Sequence, residues 1–387
     1  MKIRKIEAIP IEVPLIKPML MAGRTLTSMS SVLVRLETAG THVGWGEAAA
    51  APFLTGETVE SILTAVSCLS EAVLEEDVRD VSALADLLQR AMAANSAAKA
   101  AIEMAALDAA GRELGVPAYR LLGGQTGRKF ACLWLLGSGN AAHDIAEANA
   151  RAAEGYLAFK LKVANGRLEE EAGTFVALRE LLGHDRLLAA DANTGWTARE
   201  ALRFAALVAD AAPDFLEQPV AAEDVAALMR VARSGLVPIG ADESIHDISD
   251  VQHLVLSGAA AGVSIKIMKL AGITRSLAAC RLCAALGGEV NLSGKVGETS
   301  LANAATLTLA TVFGRPGWGL SLTAHYLADD VVREPVTVEA GHVRPLKGNG
   351  LGVDVDELKV ARLERWPSRL GESNSTPAWG QSAPAAA

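Results

Sequence analysis

The chain has 387 residues, half of them hydrophobic, with Lys+Arg 36 against Asp+Glu 45 and a formal net charge of −9. That composition argues against a disordered chain, and the acidic balance argues against nucleic acid or an anionic membrane as the partner. No apolar run reaches the roughly 20 residues that span a bilayer. No apolar signal core follows Met1, and four cysteines make no disulfide scaffold, so a cytoplasmic enzyme is the expectation.

Residues 2–13 read as a strand, with Ile3, Ile6, Ile9, Ile11 and Val13 set among polar residues. Residues 17–30, which bear Pro, Gly and Met, read as a loop. Residues 31–38 read as a second strand, and Thr38–His42 as a hairpin turn returning through Val43–Glu47. A second loop is expected at 51–56. Helical spacing follows at 57–75, 80–93 and 96–115, the last stopped by Gly115-Val116-Pro117. The first 125 residues therefore form an α+β unit.

From about residue 130 the pattern changes. Short apolar runs ending in a polar or charged residue alternate with helices about every 25–30 residues. The runs lie at 131–136, 157–162, 187–191, 215–217, 238–242, 262–266 and 289–293, with an eighth at 319–323. Alternation at this period means parallel β/α units, and seven or eight of them predict a (β/α) barrel of the TIM type, an α/β fold. No Gly-x-Gly-x-x-Gly or Walker loop follows any run, which disfavours a nucleotide fold. Cys280 and Cys283 sit in a helical stretch and read as buried structural thiols.

The strand ends carry the chemistry. In such a barrel they converge on one mouth. Lys160 and Lys162 end the second run, and being two apart they share a strand face. Asp191, Glu217 and Asp242 end the next three, and Lys266 ends the sixth. Neighbouring strands are about 4.8 Å apart, so the three carboxylates can meet around one point. Uncompensated they would repel, and a hard divalent cation resolves this; oxygen-only ligands favour Mg²⁺, with Mn²⁺ as a substitute. The lysines flank that site. Positive neighbours and desolvation are expected to lower their pKa towards neutrality, fitting them for proton transfer at the carbon α to a metal-held carboxylate.

Lys160-Leu-Lys162, Asp191-Ala-Asn193, Glu217-Gln218-Pro219, Asp242-Glu243-Ser244 and Ser264-Ile-Lys266-Ile-Met-Lys269 resemble the enolase superfamily, and within it the muconate lactonizing enzyme subgroup. Gly44-Trp45-Gly46-Glu47 and Thr55-Gly56-Glu57-Thr58 are similar to patterns of that family's capping domain. The resemblance implies a capping domain over 1–125, a catalytic barrel over 126–330 and a segment over 331–366 that returns to the cap. A disordered tail is expected over 367–387. It further implies that Asp191, Glu217 and Asp242 bind Mg²⁺ and that Lys162 and Lys266 are the acid/base pair. Lys160 would sit by the substrate carboxylate, Asn193 and Glu243 would support the ligands, and Lys269 would support the site electrostatically. The partner would be a small carboxylic acid, and a homo-oligomer is compatible with the composition. The net reaction would be racemisation or epimerisation, cycloisomerisation, or β-elimination through the same enediolate. The different-class alternative is a silent homologue that only binds an anion.

Two strand ends depart from the pattern. The seventh commonly ends in a small polar residue, and here Lys295 stands there. It would bind a second anionic substrate group, or else pair with Glu298 or point outward. The eighth offers Leu320 and Leu322 where dipeptide epimerases carry Asp-x-Asp, which disfavours an ammonium-bearing dipeptide. The glutamate common to cycloisomerases in that region is also missing. No histidine ends a strand, and His325 reads as structural. Specificity loops are expected at 19–30, where Arg24 would meet an anionic substrate tail, and at 51–55, with Phe53.

Overall fold

The structure, a computed structural model, describes residues 1–21, 24–125 and 127–365. The expected disordered tail at 367–387 and the side chain of Arg24 lie outside what is described.

Three antiparallel strands open the chain: β1 (Ile3–Met21), β2 (Arg24–Thr38) and β3 (Val43–Ala49). Residues 17–30 are largely strand rather than the expected loop. The β1–β2 ladder runs out to Met21 and Arg24, with a register shift between Pro14 and Met19. Pro14 and Pro18 lack amide donors and hide the alternation that marks a strand, so the sequence pattern ends early.

Helices α1 (Val59–Val73), α2 (Val81–Ala91) and α3 (Ser96–Leu114) cover this sheet, and α4 (Ala118–Leu121) follows. α3 is buried from Ala97 to Gly111. Its alanines and the glycines of β3 allow close packing. A Cβ on Gly44 would lie 2.0 Å from the Ala105 carbonyl oxygen, and one on Gly46 1.9 Å from that of Ala101.

After β4 (Phe130–Ala131) come the barrel strands β5 (Leu133–Leu136), β6 (Ala158–Lys162), β7 (Leu187–Asp191), β8 (Leu216–Glu217), β9 (Ile239–Ala241), β10 (Gly262–Ile265), β11 (Glu289–Ser293) and β12 (Leu320–Ser321). They form one sheet in chain order with parallel pairing throughout, and a parallel bridge from Cys132 to Leu320 joins its two edges. The connections carry α5 (Ala141–Ala153), α6 (Leu168–Leu182), α7 (Ala198–Val208), α8 (Val225–Ala232), α9 (Ile248–Leu256), α10 (Ile273–Ala285) and α11 (Ser300–Phe313). The molecule is thus an α/β barrel with an N-terminal antiparallel sheet domain. β13 (His342–Val343) pairs with β4, and after α12 (Glu357–Leu363) an antiparallel bridge joins Glu364 to Ile11 of β1. No described helix is long and apolar enough to cross a membrane. Cys280 and Cys283 are buried in α10, and burial raises both thiols.

Cap and barrel are joined by buried carboxylates. Glu47 of β3 accepts hydrogen bonds from Ser31 Oγ at 2.9 Å, Thr299 Oγ1 at 2.6 Å, and the Thr299 and Ala302 amides at the start of α11. Glu103 of α3 accepts from the Thr274 amide, at 2.9 Å, in the first turn of α10. Carboxylates suit these positions because helix N-termini present unpaired N–H groups.

Candidate active site

The barrel registers align the strand ends. Lys162 pairs with Asp191 across β6–β7, and Asp191 with Glu217 across β7–β8. Asp242 follows β9 directly and Lys266 follows β10. Asp191, Glu217 and Asp242 are 3%, 1% and 1% exposed, so all three acids are shut from bulk water.

Each acid meets a different lysine. Lys162 Nζ donates to Asp191 Oδ2 at 2.6 Å and to Asn193 Oδ1 at 2.7 Å. Lys160 Nζ donates to Glu217, and to Asn291 Oδ1 at 3.3 Å. Lys266 Nζ donates to Asp242 Oδ2, and Lys269 Nζ to Asp242 Oδ1 at 2.6 Å. Asn193 Nδ2 donates to Glu243 Oε1 at 2.9 Å, linking the supporting pair. The structure therefore brings together Lys160, Lys162, Asp191, Asn193, Glu217, Asp242, Glu243 and Lys266.

The electrostatics differ from the expectation for the lysines. Burial lowers the Lys162 pKa, but the charges of Asp191 and Glu217 outweigh it and hold the ammonium above its usual range. For Lys266 burial is likewise outweighed, first by Asp242 and then by Glu243. A carboxylate beside each ammonium has overridden the depression expected from desolvation and positive neighbours. Among the acids, burial and then the Asp191 charge push Glu217 up. Lysine charges overcome burial at Asp191 and Asp242 and hold both low.

These residues fit a hard divalent cation. The donor set is oxygen-only, buried and mutually repelling, as the raised Glu217 records. The oxygens lean onto their lysines, and the three acids do not close to within 4.8 Å of one another. The described group of acids and histidine that does is His143, Asp144 and Glu147 on α5. There Asp144 accepts from the Ser138 amide and Glu147 from Trp134 Nε1, both structural roles.

The cap roofs the mouth. A cavity of about 430 Å³ opens between Leu26, Phe53 and Leu54 of the cap and Asn193, Glu243 and His246 of the barrel. A larger cleft of about 670 Å³ lies along the 333–354 segment and touches none of the strand-end acids or lysines. Lys295 lies two residues beyond β11 and is 5% exposed. No ion pair joins it to Glu298 among the described residues. His325 stacks on Trp134, centroids 4.8 Å apart, away from the acids.

Several supporting residues carry no role in the sequence reading. Ser264 Oγ donates to Glu217 Oε1, and Asn291 Nδ2 to the Trp318 carbonyl at 3.0 Å, fixing the acceptor that faces Lys160. Gln218 Oε1 accepts from the Asp242 and Ser244 amides at 3.0 and 3.1 Å and so sets the backbone that carries Asp242. The signal was a polar residue inside an otherwise apolar run, as at Val290-Asn291-Leu292, which has few uses on a buried strand except to satisfy another buried polar group.

The chain is similar to known proteins over both of its domains. Residues 143–359 match the enolase C-terminal domain-like family, and residues 5–123 the N-terminal domain of mandelate racemase / muconate lactonizing enzyme. Muconate cycloisomerase 1-2 of Acinetobacter lwoffii is 32% identical, covering 96% of this chain and 97% of its own. The hydrophobic dipeptide epimerase of Enterococcus faecalis is 30% identical over 80% of this chain and 87% of its own. Of solved structures, muconate lactonizing enzyme from Pseudomonas fluorescens, complexed with muconolactone, superposes with a TM-score of 0.89. It is 29% identical and covers 94% of this chain and 99% of its own. N-succinyl Arg/Lys racemase from Bacillus cereus gives 0.88 at 26% identity, over 95% and 99%. With both family domains matched in order across one barrel and its cap, the chain belongs to the mandelate racemase/muconate lactonizing enzyme family, in the muconate lactonizing enzyme subgroup of the enolase superfamily.

Proposed function

We propose that the protein is a Mg²⁺-dependent isomerase that acts at the carbon α to the carboxylate of a small acid, through an enediolate. Epimerisation removes the α-proton and returns one to the opposite face of the same carbon; cyclisation reaches the enediolate by addition and ends by protonating it. The observation that carries this reading is three buried acids on consecutive strand ends, with Lys162 paired to the first and Lys266 to the last. The similar proteins named above include cycloisomerases, an epimerase and a racemase, which supports the reaction class.

Asp191, Glu217 and Asp242 hold the cation, with Mn²⁺ an acceptable replacement. The bound cation supplies positive charge that offsets the negative charge developing on the substrate carboxylate. Lys160 lies beside Glu217 and orients that carboxylate. Lys162 and Lys266 stand on the strands before and after the three acids, so they address opposite faces of the α-carbon. One takes the proton and the other returns it in a 1,1-transfer; cyclisation uses one of them. Asn193 holds Lys162 in place, and the cap residues Phe53 and Leu54 exclude water from above. A bound cation would share the charge of the acids that otherwise hold both ammoniums high, and would so let the lysine acting as base lose its proton while the other keeps its own to deliver as acid.

The test is proton NMR in D₂O across N-acylamino acids, dipeptides, hydroxyproline-type acids and muconates. Deuterium entering an α-position with Mg²⁺ and not after chelation supports the reading. Turnover that persists at full rate in chelator overturns it.

A further inference from the structure

The outer wall of the barrel carries an aromatic cluster that the proposed reaction does not use. Leu135 pairs with Lys160, whose amine meets Glu217 and Asn291 inside the barrel, so Trp134, one residue earlier, faces outward. There its ring stacks on His325 and meets Tyr156 edge-on, with centroids 5.2 Å apart. Tyr326 completes the group, 4.0 Å from His325. The Arg151 guanidinium of α5 lies 4.1 Å over the Trp134 ring.

A cavity of about 450 Å³ opens beside this cluster, lined by Trp134, Arg151, Tyr156 and His325 and by part of the 336–340 segment. None of the strand-end acids or lysines touches it. The segment is held against the turn that leaves α5. A Cβ on Gly155 would lie 3.0 Å from the Ala340 carbonyl oxygen, and one on Gly341 2.4 Å from that of Gly155. Backbone packs on backbone there, so this wall has a fixed position.

Two polar atoms of the lining residues are unmet. Arg151 Nη1 donates to Glu154 Oε2 at 2.6 Å, but the Arg151 Nε–H is buried with no partner among the described residues. His325 Nε2 is in the same condition. Native proteins seldom leave buried polar groups unpaired without a use for them. Burial, and then the Arg151 charge, lowers His325 to about 4, so its ring is neutral and can carry its proton on Nε2. The Arg151 side chain keeps 33% of its surface in solvent and can turn its Nε edge to an incoming group. What the lining offers is therefore two N–H donors, one of them charged, beside flat aromatic faces.

We propose that this cavity is a second binding site, on the outer wall of the barrel, for a planar aromatic carboxylate. The ring of the acid lies against the Trp134, Tyr156 and His325 aromatics, and its carboxylate accepts from Arg151 Nε and His325 Nε2. The volume is that of a small-molecule pocket. The site shares no residue with the barrel mouth and stands whether or not the proposed reaction does.

The experiment is calorimetric titration of the full-length protein in Mg²⁺ with benzoate, benzamide and cyclohexanecarboxylate. It is run on the wild type, Arg151→Met, Arg151→Lys and His325→Phe, and the wild type is repeated after chelation. Benzoate should bind wild type more tightly than benzamide by roughly 10- to 100-fold, the scale of hydrogen bonds to a charged group. It should exceed cyclohexanecarboxylate by about 2- to 10-fold, the scale of an aromatic contact. Arg151→Met should bring benzoate and benzamide within about threefold, and Arg151→Lys should fall between it and wild type. His325→Phe keeps the stacked ring, loses the donor, and should weaken benzoate by about threefold or more. The wild-type preference should survive chelation, because no proposed cation ligand lines the cavity. No saturable benzoate binding up to about 10 mM overturns the proposal. So does benzoate binding unchanged in Arg151→Met or abolished by chelation, since either places the acid at the mouth.

Discussion

Glu47→Ala tests whether the cap is held to the barrel by one buried carboxylate. Glu47 is 2% exposed and takes hydrogen bonds from two side chains, Ser31 and Thr299, and from the amides of Thr299 and Ala302. Truncation removes the acceptor for all four donors. It leaves two buried amides at the start of α11 without a partner, and water reaches neither. Unsatisfied buried groups cost about 1–3 kcal/mol each, and with the cavity the loss is about 3–6 kcal/mol. Spread over the unfolding entropy of a chain this long, that lowers Tm by roughly 4–8 °C in differential scanning calorimetry. Glu47→Gln should fall between the two proteins, since its amide nitrogen must face at least one donor. A Tm for Glu47→Ala within about 1 °C of wild type would refute the reasoning.

Other consequences follow from the same contacts. Burial raises Glu103 to about 7, so the folded state holds its proton more tightly than the unfolded chain. That contribution is complete below the ordinary carboxylate pKa and is lost as pH rises through about 7, a fall of at most about 3 kcal/mol. Denaturant titrations from pH 4.5 to 8 should show this slope in wild type and a flatter one in Glu103→Gln. Gly46→Val puts a side chain against the Ala101 carbonyl and should separate β3 from α3, seen as lost soluble yield and rapid proteolysis of the cap. Asp242→Asn removes one of the three proposed cation ligands and leaves Lys266 and Lys269 facing a neutral amide. Calorimetry should give a fall in Mg²⁺ affinity beyond the roughly 10–100-fold that outer partners cost.

The barrel and its strand-end residues were legible because a parallel barrel leaves two signals in sequence. Apolar runs recur at one spacing, and each ends in the residue that faces the mouth. Lys160, Lys162, Asp191, Glu217, Asp242 and Lys266 are therefore visible as positions before anything is known of their contacts. What a run does not record is contact between strands. That Lys269 reaches back to Asp242, or that Ser264 and Asn291 support Glu217 and Lys160, depends on register and barrel closure. The long β1–β2 hairpin was hidden for another reason: prolines interrupt its alternation while its ladder still forms around them. Lys162 and Lys266 stand high rather than low because sequence gives neighbours without distances, and a carboxylate 2.6 Å from Lys162 outweighs burial.

The central claim is that Lys162 and Lys266 move the α-proton. The direct measurement is α-deuterium incorporation in D₂O with Mg²⁺, followed separately on each enantiomer of a turned-over acid, in wild type, Lys162→Ala and Lys266→Ala. The account predicts that each variant loses net isomerisation by at least about 100-fold, the lower range for a general acid–base group. It also predicts that exchange is lost from opposite enantiomers in the two variants. Exchange at the wild-type rate in both variants would contradict it.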